Sequence, residues 1–132
     1  MDGSFERDFG ALGDVYAFTR RFAETHRLDE SLEYSIHLVV EELFTNMVKY
    51  SPGGAPEIEI QLEWHAPAVT AILRDFDVEP FDVTQAPDAD VAALLDRGRP
   101  GGLGLHLVRR LARDLRYDYR DRTSTITLTM RP

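Results

Sequence analysis

A chain of 132 residues with 43% hydrophobic residues suits one compact domain spanning 1–132, with enough apolar side chains for a core. Its formal net charge of −8 argues against direct nucleic-acid binding, which needs a basic face, and the absence of cysteine excludes disulfides and thiolate metal sites. No apolar run is long enough to span a membrane, and no basic n-region with an apolar stretch reads as a secretory leader, so the expected location is cytoplasmic.

Ser4–Phe9 reads as a short edge strand. Ala11, Val15, Phe18 and Phe22 then recur at spacings of four and three, one stripe of an amphipathic helix over Ala11–His26. A second helix starts at Asp29 as N-cap, with Glu30 and Glu33 in a first turn where carboxylates oppose the positive dipole end. Its stripe is Leu32, Ile36, Val39, Val40, Leu43, Met47 and Tyr50, and Ser51-Pro52-Gly53-Gly54 ends it. Over Glu57–Trp64, Ile58, Ile60, Leu62 and Trp64 alternate with Glu57, Glu59, Gln61 and Glu63, a strand with one wet face. A turn over His65–Ala68 leads to a more buried strand, Val69–Asp75.

Residues 76–102 are rich in Pro, Gly and Asp, with a short helix over Asp90–Arg97. A connection of this length in a small domain is typically functional, and residues 83–101 are expected to form a lid. A helix follows over about Gly104–Asp114, with Leu107, Val108, Leu111 and Leu115 as its buried face. Strand Arg116–Arg120, a turn at Asp121-Arg122 and strand Thr125–Met130 complete the chain. Helices and hairpins are segregated, so the expected class is α+β: a two-layer sandwich with helices on one face of a mixed, mostly antiparallel sheet.

Three segments bear chemistry. Glu42 and Asn46 are four residues apart and stack on one side of the second helix, at the margin of its apolar stripe. An amide oxygen there is a hard ligand suited to Mg²⁺, and a carboxylate can polarise a hydroxyl or a water. Read alone, the pair fits an ordinary solvated helix face as well. Gly101-Gly102-Leu103-Gly104-Leu105 leads into a helix, where backbone N–H groups beside the positive dipole end suit phosphates, with Arg97 and Arg99 just upstream. A flexible hinge is the plainer alternative. Asp75 ends the inner strand, followed by Phe76, Asp77 and Pro80-Phe81-Asp82; a carboxylate at a sheet's mouth can accept a hydrogen bond from an exocyclic amine, or it is part of an acidic turn. His37, His65 and His106 do not cluster, so no zinc site is expected. Neither a Gly-x-Ser-x-Gly elbow nor a Walker-type phosphate loop is present.

Taken in order, these segments resemble the GHKL ATPase superfamily of gyrase-type topoisomerases, histidine kinases and anti-sigma-factor serine kinases. Glu42–Tyr50 (ELFTNMVKY) looks like its N box, Asp75 stands where its first glycine box begins, and Gly102-Leu103-Gly104-Leu105 looks like its second. The resemblance covers Ala11 to Met130 and implies a Bergerat-type sandwich that binds ATP and Mg²⁺. It implies that Asn46 coordinates Mg²⁺, that Glu42 is the general base or orients the nucleophile, and that Asp75 binds the adenine amine. Gly102, Leu103, Gly104 and Leu105 would offer amides to the phosphates, and Lys49 would contact them. In size, in Pro80-Phe81-Asp82 and in the Gly-Leu-Gly-Leu-His-Leu-Val stretch ending at Val108, the chain is most similar to the anti-sigma-factor kinases, with no phosphoacceptor helix of a complete histidine kinase. The implied function is a serine/threonine kinase that phosphorylates an anti-anti-sigma (STAS-type) partner and sequesters a sigma factor, with a homodimer as a further expectation. The rivals are a non-catalytic regulatory module and the ATP-binding part of a two-component sensor. One departure stands out: Asp77 occupies the first box's usual glycine position, where a side chain is expected to crowd the nucleotide.

Overall fold

Period-two alternation sets the sheet. In the computed structural model, which describes residues 1–80 and 101–132, five strands form: β1 (Asp2–Glu6), β2 (Glu57–His65), β3 (Ala68–Asp75), β4 (Arg113–Arg120) and β5 (Thr123–Met130). They lie in the order β1-β2-β3-β5-β4, and every pairing is antiparallel. The parallel component expected of a mixed sheet is therefore absent among the described residues. The inward positions of β2, β3 and β5 are Ile58, Ile60, Leu62, Val69, Ala71, Leu73, Ile126, Leu128 and Met130, all essentially buried. On the opposite face of β2 and β3, Arg74 donates to Glu59 at 2.8 Å and to Gln61 at 3.2 Å, so the polar half of the alternation is laced together by side chains.

Among the described residues, three helices cover the inner face: α1 (Leu12–His26), α2 (Glu30–Tyr50) and α3 (Gly101–Leu111). α2 lies between the other two, in contact with both. Its stripe buries Leu32, Ile36, Val39, Val40, Leu43, Phe44 and Met47, and α1 adds Val15, Phe18, Phe22 and Ala23. Phe18 meets Phe5 of β1 edge-on, with ring centroids 5.3 Å apart. At that separation an edge-on aromatic pair adds to its burial energy. Asp29 stands at the N-cap of α2, but its carboxylate accepts from the Ser31 hydroxyl at 2.8 Å and makes no cap bond to the helix backbone.

Several boundaries differ from the sequence expectation. The first strand runs over Asp2–Glu6, not Ser4–Phe9, because Asp8 accepts from the Gly10 N–H and starts a 3-10 turn over Phe9–Ala11. α3 begins three residues earlier than expected and stops at Leu111, so the glycines form its first turn instead of preceding it. Leu115 belongs to β4, where Asp114 has φ 52° beside an irregular register between Arg113 and Arg116. Leu107 is exposed on α3, while Val108 is buried and Leu105 and Leu111 pack against the core. The β4–β5 turn at Asp121-Arg122 has φ 50° and 59°, the mirror-image two-residue hairpin turn. The lid segment before residue 101, the helix at 90–97, and Phe81, Asp82, Arg97 and Arg99 lie outside the described residues.

Candidate functional site

The inner face changes chemistry at one end of β3 and β5. Leu73 and Ile126 face each other, and the next inward pair is Asp75 and Ser124. Parity forces this: both side chains sit two residues along from a buried apolar position and must point toward the helices. Above them lies α2, whose Asn46 falls between Leu43 and Met47 at the edge of the apolar stripe. Leu43, Asn46, Met47, Ser51, Asp75, Ser124 and Ile126 together line a cavity of about 20 Å³, room for about one water. Asp75 is 2% exposed and Asn46 4%, so two strongly polar side chains are buried against one small space.

Asn46 Nδ2 donates to Glu42 Oε1 at 3.4 Å, a long bond that directs the amide oxygen away from Glu42. Glu42 is half-buried; burial pushes its carboxyl above the usual range, against the Asn46 hydrogen bond and the Lys49 charge. Lys49 is exposed and holds its ammonium 5.5 Å from the Tyr50 ring centroid; it does not line the cavity. Gly102, Leu103 and Gly104 belong to the first turn of α3, and Leu105 packs partly buried against the core. First-turn N–H groups have no acceptor within their own helix, so the glycine run keeps the donors expected of it although it is helical. α3 packs along α2, which puts the glycine turn and the Glu42–Asn46 helix on the same side of the sheet.

Three residues of this region were not singled out by the sequence. Ser124 lines the cavity and bonds the Tyr117 hydroxyl at 3.2 Å; its parity with Ile126 and Leu128 was a usable signal. Ser51, a helix stop in the sequence, also lines the cavity. Arg7 carried no local signal at all. Its guanidinium is 6% exposed and forks onto both oxygens of Asp75, through Nη2 to Oδ1 and through Nη1 to Oδ2 at 3.3 Å. Nη1 also donates to the Met47 carbonyl at 3.3 Å and Nε to the Ala55 carbonyl at 2.8 Å. A Cβ on Gly54 would collide with this guanidinium, so the slot needs glycine there. Burial pushes the Asp75 carboxyl up, and the hydrogen bonds and charge of Arg7 oppose that shift.

The Asp77 side chain, expected to crowd a nucleotide, is 68% exposed in this structure. Its φ of 56° is the left-handed conformation that glycine would supply. Its carboxylate points outward to Arg122, which donates to Asp77 at 2.8 Å and to Glu79 at 3.1 Å. Asp77 lines an outer cleft with Ser51, Gly54, Val78 and Arg122; Ser51 also lines the Asn46–Asp75 cavity, and Asp77 does not.

The two-layer sandwich thus places a buried amide and a buried carboxylate on one small cavity, on the same side of the sheet as a helix that starts with glycines. Residues 5–130 match the model of the histidine kinase-like ATPase domain, and the chain belongs to that family. The chain is 30% identical over 118 residues to the serine/threonine-protein kinase BtrW of Bordetella bronchiseptica, spanning 88% of this chain and 82% of that protein. Among solved structures it shares the fold of the SiaB–SiaC complex of Pseudomonas aeruginosa, with a TM-score of 0.67 at 16% identity, covering 98% of this chain and 87% of that one. It also overlays the histidine kinase AdeS of Acinetobacter baumannii with a TM-score of 0.50 at 16% identity, over 99% of this chain and 67% of that one. The resemblance to the GHKL superfamily read from the sequence is thereby borne out.

Proposed function

We propose that this domain is an ATP-dependent serine/threonine protein kinase of the anti-sigma type, acting in the cytoplasm on an anti-anti-sigma (STAS-type) partner and sequestering a sigma factor. The observation that carries the reading is the convergence of buried Asn46 and Asp75 on one cavity, with Glu42 hydrogen-bonded to Asn46. The 30% identity to a serine/threonine kinase over most of the chain supports the activity, and the fold shared with SiaB, solved in a complex with SiaC, agrees with a protein partner.

In this reading Asp75 accepts the adenine amine, while Lys49 and the backbone amides of Gly102, Leu103, Gly104 and Leu105 receive the phosphates. The donor set fits Mg²⁺. Asn46, lining the cavity, offers one hard oxygen, as suits an ion held mostly by phosphates and water. Bound there, Mg²⁺ would neutralise developing phosphate charge. The acceptor serine Oγ forms a bond to the γ-phosphorus as the bond to the ADP oxygen breaks, and Glu42 orients the hydroxyl and takes its proton. Burial raises the basicity of Glu42, which favours that role.

Saturating MgATP is expected to raise the melting temperature, since a ligand at 100 times its Kd stabilises the native state by about 2.7 kcal/mol. Asn46→Ala should remove the Mg²⁺-dependent part of that shift. Labelled ATP with a co-purified partner should label a partner serine, and Glu42→Ala should abolish it. No melting shift at millimolar MgATP would refute the kinase reading. The cavity volume of about 20 Å³ favours a second reading, a regulator that works without catalysis. That reading requires Glu42→Ala to keep its biological effect.

A further inference from the structure

We infer that Arg7 is a positioning residue for base recognition: it holds the Asp75 carboxylate ionised and oriented so that its remaining lone pairs face the cavity, and it thereby sets the preference for a base with an exocyclic amine. This rests on the assignment of that cavity to a nucleotide base.

The slot is built from distant parts of the chain. Arg7 follows β1, Met47 lies in the last turn of α2, Ala55 precedes β2 and Asp75 ends β3, and one guanidinium bonds all three of the others. The Arg7 backbone N–H adds a bond to the Pro56 carbonyl at 2.8 Å. Gly54 leaves the space that the guanidinium fills. So many fixed bonds hold Arg7 behind the carboxylate: Asp75 lines the cavity and Arg7 does not. A forked guanidinium engages each carboxylate oxygen on one side and leaves its other lone pair open.

The electrostatics require such a partner. A carboxyl that is 2% exposed is driven toward its neutral form by desolvation. The groups facing Asp75 are Arg7 from the N-terminal segment, Asn46 from α2, and Ser124 from β5 with Tyr117 of β4 behind it. Arg7 is the cation among them. A neutral Asp75 would offer a hydroxyl, and recognition of an amine would weaken.

The test is a competition between ATP and purine riboside 5′-triphosphate, which lacks the exocyclic amine, measured by isothermal titration at pH 8 and pH 6 with Mg²⁺. Wild type should prefer ATP at both values. Arg7→Ala should lower the ATP-to-analogue preference about tenfold, the scale of one charge-assisted hydrogen bond, and should make it fall further from pH 8 to pH 6. Arg7→Lys, which keeps the charge but not the fork, should restore part of the preference. If Arg7→Ala does not fold, Arg7→Gln serves as the neutral variant, with the same expected loss. A variant with unchanged preference, losing stability alone, overturns the inference and leaves the nucleotide site standing. A variant that binds ATP more tightly than wild type also overturns it, because Arg7 would then be an obstruction. Failure of wild type to bind either triphosphate removes both the inference and the proposed function.

Discussion

Replacing Asp77 by glycine restores the residue type that the first glycine box usually carries, and the structure fixes what this should do. Asp77 has a φ of 56°, a conformation that costs an L-residue about 1–2 kcal/mol, less for Asp than for most. Glycine removes that cost. It also enlarges the conformational entropy of the unfolded chain, a loss of about 0.4–1 kcal/mol. The Arg122 ion pair disappears as well; with side chains 53% and 68% exposed it is screened by solvent and adds little. These terms nearly cancel, so Asp77→Gly should leave stability within about 1 kcal/mol of wild type. Asp77→Val keeps the conformational demand, worsens it by β-branching and loses the ion pair; it should cost about 2 kcal/mol, roughly 6–8 °C in Tm for a domain of this size. Because the Asp77 carboxylate faces the outer cleft, neither change should alter MgATP affinity by more than about threefold. Urea unfolding by circular dichroism gives the stabilities and a titration gives the affinities. A tenfold gain in MgATP affinity in Asp77→Gly, or a valine variant as stable as wild type, would refute this placement of Asp77.

Leu43→Ala, at a fully buried position that also lines the cavity, should cost about 3 kcal/mol in urea unfolding. Thr19 is buried and its hydroxyl bonds His37 Nδ1 at 2.6 Å and the Tyr16 carbonyl at 2.9 Å, so Thr19→Val should cost about 1–2 kcal/mol and lower Tm despite matched volume. Folding raises the Glu42 carboxyl above its ordinary value of 4.5, which means that the native state disfavours its charged form. Glu42→Gln should therefore raise Tm at pH 7, with the gain shrinking as pH falls through the ordinary carboxylate range, while phosphoryl transfer is lost; a gain that grows toward acid pH would contradict the sign.

What could be read from the sequence was whatever repeats with a period. The α2 stripe recurs in the structure except at Tyr50, which is exposed, and the β2 alternation recurs with Trp64 only partly buried, since each element must bury one face. Asn46 was legible from its place at the margin of the α2 stripe, four residues from Glu42, and Asp75 from its place at the end of the inner strand. Boundaries set by local hydrogen bonds were less legible. Asp8 ends the first strand early, and the α3 glycines were taken for a loop because glycine disfavours helix interiors, although a first turn carries less of that cost. Arg7 was invisible because its partners lie 40, 48 and 68 residues away, and no local pattern encodes that distance.

Asp77 and Arg7 each meet a physical demand of the fold through a contact distant in sequence. The backbone at position 77 takes a positive φ, and Asp adopts it while its side chain pairs with Arg122. What a buried Asp75 demands is a cation or donors that keep it charged, and the segment after β1 supplies Arg7. Each is a physical requirement met by a contact distant in sequence, so the relevant comparison between this chain and its relatives is one of backbone angles and charge partners. An Arg7→Ala/Asp75→Asn double variant separates the two contributions of the pair. It removes both charges from a buried place at once, so its stability should recover much of what Arg7→Ala alone loses. Double-variant unfolding no milder than the sum of the two single variants would mean that Arg7 and Asp75 act independently, contrary to the bonds that join them.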